Sequence, residues 1–175
     1  GLSGSGQTDS GVTARVFGTI ISWMQERKRP VFIVATANAV QNLPPELLRA
    51  GRFDEVFAVD LPGLQERVAI LSIHLAKRKR DPAGFDLERI AGEASQFSGA
   101  EIESVVVKGM FHAFSEGRDL LDKDLIDAVH VTVPLAVTRK EDIDALRAWA
   151  STRAVPASST KPPELTGLDE KKRRI

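Results

Sequence analysis

Three polar residues in the first third of the chain have the chemistry and spacing needed to act on a phosphate group. Asn38 follows an apolar run at 31–36, and Arg49 and Arg52 flank Gly51. An asparagine amide can donate to a phosphate oxygen and accept from a water at once, which orients that water for attack. The planar guanidinium of arginine matches phosphate oxygens and stabilises charge on a transferring phosphoryl group. The alternatives are an asparagine that caps the next turn and two solvated surface arginines.

The elements around these residues have the pattern of an open α/β sheet. The apolar run 31–36 predicts a buried strand of a parallel sheet, and Asn38 then lies past its carboxyl end, where such sheets bind ligands. Apolar residues at helical spacing over 12–24 predict a preceding helix, and the Gly- and Ser-rich residues 1–11 predict a mobile loop. A second short strand is predicted at 56–59.

From residue 64 onward the pattern is helical. Asp86 predicts a helix cap, and Ser98 with Glu101 predicts a capping box at the start of a further helix. Thr138 with Glu141 predicts a second capping box. Residues 151–175 hold three prolines and few large apolar residues, which predicts a disordered tail.

The composition limits the classes of function that this protein can have. Hydrophobic residues make up 42% of the 175, so a packed core is feasible, and 24 basic residues balance 24 acidic ones. This balance makes nucleic-acid binding unlikely as a function, and we interpret the basic clusters at 77–80 and 171–174 as solvated. No apolar run is long enough to span a membrane. The absence of cysteine excludes disulfides and thiolate metal sites, and we expect a cytoplasmic protein.

The segments around Asn38 and the two arginines resemble, in order and spacing, the second region of homology of AAA+ ATPases. This resemblance implies that Asn38 is the sensor-1 residue, which positions the attacking water. It implies that Arg49 and Arg52 are arginine fingers, which reach ATP bound by the adjacent subunit of a ring. An arginine finger is worth roughly 10³ to 10⁵ in turnover. The segments that carry the resemblance are 31–38, 43–54 and 59–62.

Two positions depart from the family pattern. Pro44 stands where family members usually have Asp, and Ala50 stands where they usually have Pro. Neither residue is assigned to phosphate, so the departures bear on the subfamily more than on the mechanism. The chain up to about Trp149 resembles most closely a group of poorly characterised bacterial and algal-plastid AAA ATPases.

The helical part resembles the AAA+ lid. Its segments 67–74 and 97–101 match a lid helix and the sensor-2 segment. The match implies that His74 lies near the adenine and ribose and that Gly99 and Ala100 pack on the base. A surface histidine and ordinary helix-start residues are the alternatives. The fold class is therefore α/β: the C-terminal part of a P-loop NTPase sheet domain at 1–63, an all-α lid with an extra helix at 64–150 and the tail at 151–175.

Two components of an ATPase site are missing from the sequence. No segment matches Gly-x-x-x-x-Gly-Lys-Ser/Thr, the loop that cradles phosphates, and no acidic pair follows an apolar strand to hold Mg²⁺. The three histidines have no metal-ligand spacing, so no metal site is predicted in this chain. We expect an upstream half to supply both components, and we predict that this chain alone does not turn over ATP.

The leading hypothesis is an ATPase that binds ATP and Mg²⁺, forms a homo-oligomeric, hexameric ring and remodels an unknown protein substrate. The rival is a non-catalytic AAA-like module that scaffolds an assembly. A third hypothesis, a helical DNA-binding module, requires salt-dependent DNA affinity.

Overall fold

The structure of the chain is a computed structural model that describes residues 6–40, 43–49 and 51–158, with side chains from Arg15 onward. Two compact units are distinguished: residues up to Phe57 together with Trp149–Val155, and Ala58–Ala148 with residues from Pro156. The helices are α1 (Gly6–Glu26), α2 (Leu64–Lys77), α3 (Leu87–Glu93), α4 (Gly99–Ser115), α5 (Asp122–His130), α6 (Leu135–Thr138) and α7 (Lys140–Ala150), the strands are β1 (Phe57–Ala58) and β2 (Val155–Pro156), and 3₁₀ turns lie at Pro45–Leu48 and Pro82–Gly84.

The second unit contains the hydrophobic core. Helices α2, α3, α4 and α5 pack on one another and bury a continuous set of aliphatic side chains. This mostly helical architecture with a small parallel sheet confirms the predicted fold class. The predicted domain limits at 63 and 150 stay predictions. The largest fully buried apolar side chains are those of Leu71, Leu75, Ile90, Ile102, Val105, Val106 and Leu125.

Helix starts in this unit follow the predicted caps. The Asp86 carboxylate accepts from the backbone N–H of Arg89 at 3.1 Å at the start of α3. At the start of α4 the Ser98 Oγ accepts from Glu101 N at 3.4 Å, and the Glu101 carboxylate accepts from Ser98 N at 2.7 Å. Both interactions satisfy backbone donors that a helix leaves unpaired in its first turn, which confirms the two predicted caps.

Two predicted starts are wrong. Helix α1 begins at Gly6, inside the predicted loop, because adding residues to a formed helix costs much less than nucleating one. Thr138 does not cap α7; it is the last residue of α6, and its hydroxyl donates to the Leu135 carbonyl at 3.4 Å. A threonine hydroxyl engaged with the preceding turn is not available to the next helix.

The strand predicted at 31–36 is also wrong. Residues 31–37 form no strand or helix, and the side chains of Phe32 and Val34 are 92% and 74% exposed. A parallel strand with both faces buried needs neighbours on each side and helices above and below it. The described residues provide no strand that pairs with this segment.

The second predicted strand is present but pairs with the end of the described chain. β1 lies inside the predicted 56–59, and β2 runs parallel to it, with Val155 N donating to Val56 O at 2.9 Å and Ala157 N to Ala58 O at 2.8 Å. Residues 151–158 therefore differ from the predicted disordered tail, because their backbone finds sheet partners. The rest of that tail, 159–175, lies outside the described residues, as do residues 1–5 and all side chains of the predicted loop at 1–11.

Helices α4 and α5 cross at very short range. A Cβ placed on Gly109 of α4 would lie 2.9 Å from Leu125 Cδ2 and 3.3 Å from the Asp124 carbonyl oxygen. The absence of a side chain at this position lets the two backbones approach, although glycine costs roughly 1 kcal/mol relative to alanine inside a helix. The close crossing explains why a poor helix former lies in the middle of α4.

We expect Gly109→Ala to lower the free energy of unfolding by about 1 kcal/mol, because overpacking outweighs the gain in helix propensity. Gly92→Ala in α3 is the matched control, since nothing lies within 4 Å of a Cβ there. The control should raise stability by up to about 1 kcal/mol. Urea denaturation measures both, and equal signs would contradict the role of the crossing.

The same crossing contains a buried carboxylate. Asp124 is 1% exposed, and its oxygens accept from Arg118 Nη1 at 2.6 Å, Arg118 Nη2 at 2.7 Å and the Leu121 N–H at 2.9 Å, with His112 Nδ1 at 2.7 Å. The hydrogen bonds from Arg118, aided by those from His112 and Leu121, hold the pKa of Asp124 well below its usual range although burial opposes this. The carboxylate is thus ionised and fully partnered.

The lowered pKa of Asp124 predicts an acid-sensitive contribution to stability. The contribution is present above the ordinary aspartate pKa of about 4 and is lost as pH falls below it, because the unfolded state then binds a proton that the folded state excludes. Asp124→Asn should lower the free energy of unfolding at pH 7 by about 3 kcal/mol and should flatten the loss below pH 4. Asp119→Asn, an exposed partner of Arg80, should change it by less than about 1 kcal/mol. Denaturation curves from pH 2 to 7 provide the test, and identical pH profiles in wild type and Asp124→Asn would contradict it.

Candidate functional site

Asn38 lies at a bend that follows the irregular residues 31–37, and its side chain is exposed. The predicted place, past the carboxyl end of a buried strand, is not observed, because 31–36 form no strand. Among the described residues, no hydrogen bond or ion pair joins Asn38 to Arg49 or Arg52. Its amide is open to an external partner.

A short 3₁₀ turn places Arg49. The turn Pro45–Leu48 starts with prolines at its first positions, closes through Leu47 N to the Pro44 carbonyl at 3.0 Å, and buries Leu47 to 6% exposure. Proline suits this place because its fixed φ matches the first turn of a helix and its missing N–H is not needed there. Arg49 follows as the C-cap with extended backbone and an exposed side chain.

A left-handed glycine then turns the chain towards Arg52. Gly51 has φ +87°, a conformation that residues with a Cβ rarely adopt. The Arg52 side chain is half-buried, and its guanidinium lies against the side-chain amide of Gln25 near the end of α1. The structure thus puts both predicted arginines on one loop, with one exposed and the other held. Guanidinium groups so arranged can bind the oxygens of an anionic ligand.

In the helical unit, one face of α2 meets the start of α4. Ile70 and His74 lie on that face, and a Cβ on Gly99 would lie 3.7 Å from Ile70 Cδ1. Gly99 and the exposed Ala100 are the first two residues of α4. An apolar side chain, a glycine and an imidazole on neighbouring turns are features that suit a planar heterocycle. The structure therefore brings the helix face of His74 and Gly99 together.

His74 belongs to a cluster of polar side chains and is itself largely buried. Its ring, 14% exposed, has Nδ1 3.3 Å from Glu103 Oε1, and Arg78 Nη2 donates to the same carboxylate oxygen at 2.9 Å. The hydrogen bond from Arg78 lowers the pKa of Glu103, with further lowering by the nearby positive charges and opposition from burial. Glu103 therefore lies beside the imidazole and keeps Arg78 next to α4.

Glu101 connects the start of α4 to a distant part of the chain. One carboxylate oxygen accepts from Ser98 N and Ser98 Oγ at 2.7 Å each, and the other accepts from Leu135 N at 2.7 Å. Burial raises the pKa of Glu101, but the hydrogen bonds from Ser98 and Leu135 outweigh it and the net pKa is lowered. The capping box therefore positions Gly99 and Ala100 and holds the start of α6 at the same time.

One group of side chains has the composition of a metal site. Ligand atoms of His112, Glu116 and Asp124 lie within 4.8 Å of one another. Arg118 already donates to both Asp124 oxygens and to Glu116. Its guanidinium therefore supplies the positive charge that a metal ion would otherwise bring to these carboxylates. We interpret the group as an ion-pair cluster at the crossing of α4 and α5.

No role was predicted from the sequence for Arg67, Arg78 and Glu103. Arg67 holds α2 to α3 and to the residues before α2, because its Nη1 donates to the Pro62 carbonyl and its Nε to the Ala91 carbonyl at 2.8 Å each. Burial lowers the pKa of Arg67. Arg78 was assigned to a solvated basic run, and no sequence signal separates it from its neighbours Lys77 and Lys79. The helical spacing of His74 and Arg78 was the one available clue.

A comparison with protein families finds a match to the ATPase family associated with various cellular activities (AAA) over residues 2–61. This range includes Asn38, Arg49 and Arg52.

Individual relatives extend the match through the helical unit. The chain is 51% identical over 156 residues to an uncharacterized AAA domain-containing protein ycf46 of Pyropia yezoensis, covering 88% of this chain and 32% of the relative. It is 47% identical over 152 residues to the protein of the same name from Guillardia theta, covering 86% and 30%. It is 41% identical over 100 residues to a proteasome-activating nucleotidase of Aeropyrum pernix, covering 57% and 24%. The chain spans about a third of the length of the first of these relatives.

None of the described helices combines the length and the apolar character that a membrane span requires.

The role of Glu101 can be tested by removing its carboxylate. We expect Glu101→Ala to lower the free energy of unfolding by roughly 1–2 kcal/mol, the usual range for a lost helix cap. Hydrogen exchange should speed up at the first amides of α4 and at Leu135 together, because one side chain holds both. Glu88→Ala, an exposed acid in the first turn of α3, is the control and should change stability by a few tenths of a kcal/mol. Faster exchange at α4 alone would contradict the connecting role.

Proposed function

Because the chain belongs to the AAA family of ATPases, we propose that it is the part of an ATP-hydrolysing machine that orients water, senses bound nucleotide and stabilises charge on ATP held by a neighbouring subunit. The observation that carries this proposal is the loop with Arg49 and Arg52 on either side of the left-handed Gly51, inside the family match. The sequence contains neither a phosphate-binding loop nor an acidic pair for Mg²⁺. Guanidinium groups on such a loop suit the phosphate oxygens of an ATP bound by a neighbouring subunit.

Asn38 is proposed to act on ATP bound by its own subunit. Its exposed amide, at the bend after the apolar segment, can accept from the attacking water and donate to a γ-phosphate oxygen. Such an interaction aligns the water with the phosphorus and needs no change of protonation state. The role of Asn38 is therefore orientation.

The two arginines are proposed to act on the neighbour's ATP. In-line phosphoryl transfer spreads negative charge over the equatorial oxygens, and a guanidinium that meets those oxygens lowers the barrier. The exposed side chain of Arg49 can reach the phosphate from the protein surface. The guanidinium of the half-buried Arg52 has a defined orientation. Action on a neighbour's ATP requires an oligomer, because the arginines and the nucleotide then belong to different subunits. We propose a homo-oligomeric ring, hexameric by family resemblance.

The helical unit is proposed to act as the lid over the base. His74, beside Glu103, lies on the same face of α2 as Ile70, and Ile70 lies against Gly99 at the start of α4. This combination suits the adenine and ribose of ATP: a flat ring against small residues, with one polar group at its edge. The network around Glu101 keeps these residues in place as the lid moves.

The complete protein is proposed to be the working ATPase. The chain corresponds to about a third of its relatives' length, so the phosphate loop and the ligands for Mg²⁺ are assigned to the remainder. Mg²⁺ there neutralises phosphate charge and orients the oxygens. By itself the 175-residue chain is proposed to be inactive. One relative's name refers to proteasome activation, which supports a protein as the substrate to be remodelled.

The arginine assignment is tested with Arg52→Ala in the complete protein. We expect turnover at saturating ATP to fall by roughly 10³-fold, because the lost charge acts only in the transition state. The dissociation constant for ATP should stay within about threefold of wild type. Steady-state phosphate release and equilibrium binding of a fluorescent ATP analogue measure the two quantities.

Two further measurements complete this test. Arg139→Ala, in an exposed pair with Asp142, is the matched control and should leave turnover unchanged. Mixing Arg52→Ala subunits into wild-type rings should lower activity more than dilution does, since each variant subunit disables its neighbour. Unchanged turnover in Arg52→Ala would overturn the finger role and favour a non-catalytic scaffold.

A further inference from the structure

The guanidinium of Arg52 lies against the side chain of Gln25, to which the family resemblance assigns no role. Gln25 is the second-last residue of α1. With its amide oriented so that the oxygen faces the arginine, Gln25 Oε1 accepts from Nη1 of Arg52 at 3.2 Å and from Nη2 at shorter range. A glutamine oxygen has two lone pairs, so it can accept both donors at once. The contact fixes the direction of the guanidinium plane.

The other end of the same guanidinium is buried. Arg52 Nε is inaccessible to solvent and has no hydrogen-bond partner among the described residues. A buried donor without a partner makes a conformation unfavourable unless other interactions hold it. The contact with Gln25 is an interaction among the described residues that can hold this conformation of the Arg52 side chain.

Interactions in the last turn of α1 hold the backbone at Gln25. Met24, its neighbour, is 7% exposed, and the backbone of Arg27 donates to the Trp23 carbonyl at 3.2 Å. Arg27 Nε also donates to the Met24 carbonyl at 3.3 Å. These interactions hold the last turn of α1, so the amide of Gln25 is presented from a fixed backbone.

From this geometry we propose that Gln25 is a positioning residue for Arg52. It holds the guanidinium in one direction while leaving its full positive charge, because a neutral amide does not form an ion pair. A carboxylate at the same place would hold the arginine equally well but would cancel the charge that a phosphoryl group needs. The inference deepens the proposed function and rests on it, since Gln25 matters for turnover only if Arg52 does.

The test uses Gln25→Met in the complete protein, a change that keeps the length of the side chain and removes the acceptor. We expect turnover at saturating ATP to fall on the order of tenfold, the scale of a misplaced catalytic group, with little change in KM for ATP. The thermal unfolding midpoint should be unaltered. Gln65→Met on the exposed side of α2 is the matched control and should behave as wild type.

A double-mutant cycle separates positioning from a merely structural role. In the Arg52→Ala background, Gln25→Met should cause no further loss of the residual rate, because the group it positions is gone. Wild-type turnover in Gln25→Met, or effects of the two changes that multiply, would overturn the inference while leaving the finger role of Arg52 intact. Full activity in Arg52→Ala alone would instead refute the proposed function.

Discussion

The helical unit depends on the close crossing of α4 and α5. Gly109 lets the two backbones touch, and at the same crossing Asp124 is removed from water and must be satisfied by Arg118, His112 and a backbone N–H. A buried carboxylate without such partners would be strongly destabilising. Because α4 is fixed in its middle by this crossing, its first turn is fixed as well. The position of Gly99 and Ala100 is therefore a consequence of packing about three turns away.

The candidate base site of the helical unit is held by side chains that need not touch a ligand. Glu103 lies beside His74 and accepts from Arg78, and Glu101 caps α4 while retaining Leu135. Both carboxylates have lowered pKa values, chiefly from Arg78 for Glu103 and, against the effect of burial, from hydrogen-bond donors for Glu101. They stay ionised at neutral pH, so the hydrogen bonds that they accept are kept there. Groups held on packed helices suit the proposed lid.

In the other unit, the two predicted arginines have different surroundings. Arg49 extends from a 3₁₀ turn into solvent, whereas Arg52 follows a left-handed glycine and lies half-buried against Gln25. A flexible charge loses entropy when it meets a phosphate, and a held charge has lost that entropy beforehand. This difference agrees with the proposed roles, in which the held Arg52 is aligned with the phosphate in advance and the exposed Arg49 adds a second positive charge.

The sequence by itself determined the local features: the caps at Asp86 and Ser98, the helical pattern from residue 64 onward, and the motif around Asn38, Arg49 and Arg52. These depend on interactions within a few residues, so composition and spacing suffice to predict them. Only the tertiary structure decided that Gln25 meets Arg52, that Glu103 meets His74, and that Val155 pairs with Val56 while no described strand pairs with 31–36. Such pairings join positions far apart in the chain, and each depends on how whole elements pack. The strand at 31–36 failed for the same reason, because a parallel strand exists only through its neighbours.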